Sequence, residues 1–196
     1  MNRGDRPSGA TSHPALFGGV YAGLDGAIMI VLAGQSDEIH CLHRLGAGPD
    51  RPDLRRFERY RALLGGLRDA IAAAGRPSAV AIEGCELIAS RRYHMHVLEQ
   101  GTLLRYALLV AGVAVTEVPP ITVREFATGN SWARDPLMVE RLAQGFGASL
   151  YGPDEAMAYA LAQIARCLLH PDQYDSRRRA ALAGVLPPIR SPGRAP

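Results

Sequence analysis

The stretch GGVYAGLDGAIMIVLAG, residues 18–34, decides how the chain is read. Two apolar runs flank a break at Leu24-Asp25-Gly26, and an Asp-Gly pair between such runs marks a turn. The pattern predicts a strand that turns near Asp25–Gly26 and returns as a second, paired strand. The next apolar run, DEIHCLHRL (37–45), predicts a third strand. Simple alternation puts Ile39, Cys41 and His43 on one of its faces and His40, Leu42 and Arg44 on the other.

Beyond these strands the period changes from two to that of a helix. In DLRRFERYRALLGGLRDAIAAAG (53–75), Leu54, Phe57, Tyr60, Leu64, Leu67 and Ile71 recur at helical spacing, and Gly75 ends the run. SAVAIEG (78–84) is short and apolar throughout, as a strand buried on both faces would be. A second helix (96–112), a strand (113–120) and two shorter helices follow, the latter of these opened by Asp135 as cap with Pro136 behind it. LYGPDEAMAYALAQIARCLL (150–169) closes the body as a helix with an acidic start. Three strands followed by alternating helices and strands predict an α/β layer with an antiparallel start and a parallel continuation.

Composition sets limits on function. The 196 residues suit one domain, and their 47% apolar share is enough for a core. Residues 1–16 and 172–196 are rich in Pro, Ser, Gly and Arg without apolar period, so the expectation is a folded body at 17–171 between two disordered tails. The body holds 15 arginines against 16 acids, whereas residues 172–196 hold five arginines against two aspartates. A body this balanced is not a strong non-specific DNA binder by charge alone. No apolar run spans a membrane and the N-terminus lacks a signal pattern, so the expected location is the cytoplasm. Cys41, Cys85 and Cys167 are too scattered for a disulfide framework or a zinc motif. His40, Cys41 and His43 do not make a zinc site either, because alternation sends His40 and Cys41 to opposite faces.

Three acids stand where a ligand site belongs. Asp25 ends the first strand, Glu83 ends the strand after the first long helix, and Asp154 opens the last helix. The carboxyl ends of neighbouring parallel strands line one crevice in an open α/β sheet. Carboxylates gathered there repel one another unless a cation lies between them. Taken singly, each has an ordinary reading: a turn residue, a strand-end charge and a helix-dipole charge.

Taken together, GLD (23–25), VAIEG (80–84), EVPPITVREFATG (117–129) and DEAMAYALA (154–162) resemble, in order and spacing, the RuvC-like Holliday junction resolvases, nearest the compact phage and actinobacterial type. The resemblance spans about residues 18–170, and VPP-x-TV-R-x-FATG is its most specific part. It implies an RNase H-like mixed five-stranded sheet flanked by helices. It also implies a Mg²⁺- (or Mn²⁺-) dependent endonuclease that acts on branched DNA as a homodimer in recombination. Asp25, Glu83 and Asp154 match three of the family's four catalytic, metal-binding acids.

The fourth acid of that pattern falls at Met157. That residue is one helical turn after Asp154, about 300° around the axis and so on the same face. A thioether is a poor ligand for Mg²⁺. Glu155 lies about 200° from Met157 and faces elsewhere. The loop after Asp25 is also shortened, and Asp135 stands near an expected lysine. These departures describe a degenerate site with impaired catalysis, or a non-catalytic relative that binds nucleic acid or a protein partner through the retained fold. Arg91, Arg92 and Tyr93, at the start of the second long helix, are candidates for contact with branched or double-stranded DNA, together with Arg124 and Arg134. Trp132, the sole tryptophan, is a candidate for base stacking or for anchoring its own loop. An ATPase that used GLDG as a phosphate turn would need a second phosphate loop, and none is present.

Overall fold

The computed structural model describes residues 14–23, 26–46, 56–84 and 91–189, with the side chains of residues 56 and 91–96 outside that description. Asp25 and both chain ends therefore lie outside the described residues. The expected hairpin is β1 (Leu16–Gly23) and β2 (Gly26–Ala33), paired antiparallel from Leu16↔Ala33 to Gly23↔Gly26. β3 (Ile39–Leu45) continues the antiparallel run, while β4 (Ala79–Glu83) and β5 (Ala114–Val118) join parallel on the other side of β1. The result is one mixed five-stranded sheet in the order β3-β2-β1-β4-β5.

Helices cover both faces. α1 (Arg56–Ala74) and α2 (Arg91–Val110) lie on one. On the other lie α3 (Pro120–Thr128), α4 (Asp135–Phe146), α5 (Pro153–Leu169) and α6 (Ser176–Ala181). Alternation along the strands feeds two cores. Phe17, Ile28, Ile30, Leu32, Ala79 and Ala81 face α5, whereas Val20, Met29, Val31, Val80 and Ile82 face α1 and α2. Strands with both faces covered need the unbroken apolar runs seen in the sequence.

α5 is the deepest helix. Every residue from Glu155 to Cys167 is buried, and alanines at 156, 158, 160, 162 and 165 keep its body thin. Gly19 on β1 completes the approach, because a Cβ there would overlap the Ala158 carbonyl oxygen and the Ala162 amide nitrogen. Helix backbone and strand backbone are thus in direct contact, and this fixes how far the Asp154 end of α5 stands above the sheet. Among the described residues no helix is long and apolar enough to cross a membrane.

Four expectations need correction. The buried stripe of α1 is Leu63, Leu67, Ala70 and Ala74, while Phe57 is 82% exposed. Of the adjacent leucines 63 and 64, periodicity alone selects the wrong one. In β3 a register shift opposite Val31/Leu32 pairs Leu32 with Ile39 and Val31 with Cys41, leaving His40 as the extra residue. Ile39 and Leu42 consequently share the α5 core, while Cys41 packs on the α1 side. Asp135 is the first residue of α4 rather than its cap, and the cap position is Arg134.

The fourth correction concerns the expected C-terminal tail, whose described residues, 172–189, are part of the fold. A 3-10 turn (Pro171–Gln173) and α6 follow α5, Tyr174 and Leu182 are buried in the α5 core, and Ile189 forms an antiparallel bridge to Val115 on the outer edge of β5. Tyr174 is held by polar partners. Its hydroxyl donates to Gln163 Oε1 (2.6 Å) and accepts from Arg166 Nε (2.7 Å). Arg166, with its side chain 4% exposed, also ion-pairs with Asp37 and donates to the Ser36 carbonyl (2.6 Å). One buried guanidinium thus joins α5, the β2–β3 turn and the C-terminal segment.

Candidate functional site

Glu83 and Asp154 are brought to the same end of the sheet. Glu83 is the last residue of β4, half-buried, and Asp154 is exposed in the first turn of α5. β1 runs between them, with Gly23 at its end. A Cβ placed on Gly23 would lie 3.7 Å from Asp154 Oδ2 and 3.3 Å from Tyr21 Cε1, so the carboxylate and the tyrosine ring bracket one point. Gly23 leaves that space open.

Tyr21 gives the clearest view of the local charge. Burial raises the pKa of its phenol, the negative charges of Glu83, Asp154 and Asp135 raise it further, and Arg124 opposes them. One hydroxyl thus feels groups from β4, α5, α4 and α3 at once. Tyr21 stays a neutral phenol at physiological pH and brings an O–H donor to a crevice dominated by carboxylates. The sequence reading overlooked it. The available signal was its period-two relation to Gly23, which puts position 21 on the same face of β1 as the strand's last residue.

Of the other singled-out residues, Arg124 and Asp135 are near enough to act on Tyr21. Arg124 is not a bare cation: its Nη2 pairs with Asp135 Oδ1 at 3.1 Å. The role of Asp135 is therefore this ion pair, with the helix dipole of α4 as a second favourable partner. Arg134 is exposed and its carbonyl accepts the first α4 hydrogen bonds, from Leu137 and Met138. Trp132 is 84% exposed, in a turn pinned by its own N–H to Asn130 Oδ1 (3.0 Å). Arg91, Arg92 and Tyr93 open α2, but their side chains are outside the described residues.

Met157 is 4% exposed and belongs to the α5 core. Glu155 is buried too, and both its oxygens are engaged: Oε1 with Arg44 Nη2 (2.8 Å) and Oε2 with the Tyr151 N–H (3.0 Å). It caps the helix start. Among the described residues no group of three or more His, Cys, Asp and Glu side chains is gathered to hold a metal ion. Glu83 and Asp154 are hard oxygen donors suited to Mg²⁺ or Mn²⁺, whereas the thioether at 157 is not.

Sequence reasoning also missed Arg105 of α2 and Glu117 of β5. Arg105 Nη2 donates to the Glu83 carbonyl oxygen (2.9 Å), and its Nε lies 3.2 Å from Glu117 Oε2. An arginine in mid-helix carries no sequence signal of such a contact.

No sequence-family profile matches the chain, and no curated protein matches it by sequence. Solved structures do match. A Thermus thermophilus RuvC bound to a Holliday junction substrate superposes with a TM-score of 0.68 at 17% identity, covering 89% of this chain and 99% of that one. A second T. thermophilus RuvC structure gives 0.62 at 18% identity, with the same coverage. The mixed sheet, its strand order and its two helical layers are therefore those of the RNase H-like fold, in the form found in the RuvC resolvases.

Proposed function

We propose that the chain is a RuvC-like protein that binds branched DNA, with a carboxylate site reduced from a two-cation to a one-cation donor set and with endonuclease activity impaired. The observation that carries this reading is the pairing of a RuvC fold over 89% of the chain with a buried methionine one turn after Asp154. Asp25, Glu83 and Asp154 would hold the Mg²⁺ or Mn²⁺. Bound there, the cation supplies Lewis-acid activation of water and charge stabilisation at the phosphodiester. The chain's own residues orient that chemistry: β4 and α5 present the carboxylates, and Tyr21 holds a proton at its hydroxyl beside them. DNA contact falls to Arg91, Arg92, Tyr93 and Arg134, with Arg124 released from Asp135 when phosphate competes for it. The exposed ring of Trp132, on a turn pinned through its backbone N–H, suits stacking on an unpaired base. The protein works in the cytoplasm as a homodimer, which matches the symmetry of a four-way junction.

The second reading, favoured by Met157, is a non-catalytic module that binds nucleic acid or a protein partner through the same fold. A labelled four-way junction separates the possibilities. We expect junction binding at least tenfold tighter than to linear duplex of equal length, quenching of Trp132 fluorescence, and Mg²⁺- or Mn²⁺-dependent nicking that is weak and lost in Asp154→Asn. Equal affinity for junction and duplex overturns the branched-DNA reading. Junction binding with no nicking in either metal selects the non-catalytic module. Fast wild-type cleavage overturns the impairment.

A further inference from the structure

The end of β4 that delivers Glu83 is gripped from the helix layer opposite α5. Arg105 reaches from α2 to the main chain, with Nη2 on the Glu83 carbonyl at 2.9 Å. Its Nε, buried with the rest of the stem, faces Glu117 Oε2 at 3.2 Å as an ion pair rather than an aligned hydrogen bond. The next residue of the chain, Gly84, donates its N–H to the Val118 carbonyl at 2.8 Å.

Two glycines make room for this arrangement. A Cβ at Gly84 would lie 3.2 Å from both Cγ and Oε1 of Glu117, so Glu117 would have to give by a few tenths of an ångström. A Cβ at Gly101, one turn before Arg105, would lie 3.3 Å from Arg105 Nη1. The Arg105 side chain is 18% exposed and its partner Glu117 54%, so the guanidinium is held mainly by packing and the carboxylate steers it from the surface.

We propose that Arg105, steered by Glu117, is a positioning residue that sets where β4 places the Glu83 carboxylate in the crevice. It acts through the main-chain carbonyl and touches no reacting atom. A planar guanidinium meets a carbonyl and a carboxylate at once with different nitrogens, which the single ammonium of lysine does less well. Losing the guanidinium takes a donor from the Glu83 carbonyl and frees the strand end to shift. Displacement by about 1 Å is enough to degrade a site that depends on fixed donors.

The inference rests on the reading of Glu83 as a cation ligand, and calorimetric titration with Mn²⁺ alone tests the two separately. Wild type, Arg105→Met, Arg105→Lys and Glu117→Gln are compared, each checked for fold by circular dichroism and thermal melting. We expect Arg105→Met to weaken Mn²⁺ binding at least tenfold, Arg105→Lys to recover part of the loss, and Glu117→Gln to cost about threefold. A role confined to packing would lower the melting temperature and leave Mn²⁺ affinity unchanged; a folded Arg105→Met with wild-type affinity overturns the proposal while Glu83 keeps its place as a ligand. If Arg105→Met does not fold, unchanged affinity in both Arg105→Lys and Glu117→Gln overturns it equally. A wild type that binds no Mn²⁺ removes the ligand reading itself, and the positioning role with it.

Discussion

Met157→Asp puts a carboxylate where α5 now inserts an apolar side chain. Met157 is 4% exposed, so the substitution forfeits nearly all of a methionine's burial. Shortening a buried methionine costs about 2–5 kcal/mol, and the new carboxylate must also be desolvated. A total of about 4 kcal/mol is a large part of the ~5–15 kcal/mol that holds a domain together, but many domains still fold with that loss. Burial raises the folded-state pKa of the introduced carboxyl above its unfolded value of about 4. A carboxyl with a raised folded pKa favours the folded state at low pH and loses that advantage as pH rises through about 4 and above. Without metal, the variant's stability deficit should therefore be smaller at about pH 4.5 than at about pH 7. A divalent cation reverses this by binding the ionised form, with Mn²⁺ at about 100 times its Kd restoring about 2.7 kcal/mol. Urea unfolding at both pH values, with and without Mn²⁺, reads all of these effects, and junction nicking should rise with the recovered stability. A folded Met157→Asp protein whose Mn²⁺ stabilisation equals that of wild type refutes the reasoning, because position 157 would then not reach the site.

Three further outcomes are expected. Asp37→Ala strips the ion-pair partner from the buried Arg166 and should cost about 3 kcal/mol in urea unfolding, at the low end for such pairs because the Asp37 side chain is 41% exposed and water can reach the gap. Deleting residues 172–196 removes Tyr174 and Leu182 from the core and should lower stability by several kcal/mol, so it is a poor test of the basic tail. Deleting 190–196 alone removes Arg190 and Arg194; it should leave the melting temperature unchanged and flatten the salt dependence of DNA binding by about 1–2 in log–log slope. Burial pushes the Cys167 thiol up to about 11, so a disulfide reagent at about pH 7.5 should leave it unmodified in the native protein and react only on unfolding.

The sheet was legible because its strands are buried on both faces. Ile28–Leu32 and Ala79–Ile82 have no other economical use, and an Asp-Gly turn between apolar runs left one pairing for β1 and β2. Met157 itself is packed in the α5 core. The parts that were missed all depend on tertiary partners. Order in the C-terminal segment comes from a tyrosine hydroxyl that satisfies a buried arginine, and composition registers only that the segment is polar. The bulge at His40 moves Cys41 to the other core, which no alternation rule anticipates. Asp135 has the profile of a cap, but Arg124 is near enough to claim it. Tyr21 was read as one more strand residue because its significance lies in charges carried by four other elements.

The backbone-to-backbone contact at Gly19 makes α5 an unadjustable part of the molecule. Side chains between a helix and a sheet usually act as shims, and exchanging them lets a lineage reset the spacing by fractions of an ångström. At the crossing of Gly19 with Ala158 and Ala162 there is no shim to exchange. The elevation of Asp154 above β1 is accordingly set by backbone alone, so a change in the chemistry of this end of the sheet must come from exchanging side chains and not from sliding the helix that carries them.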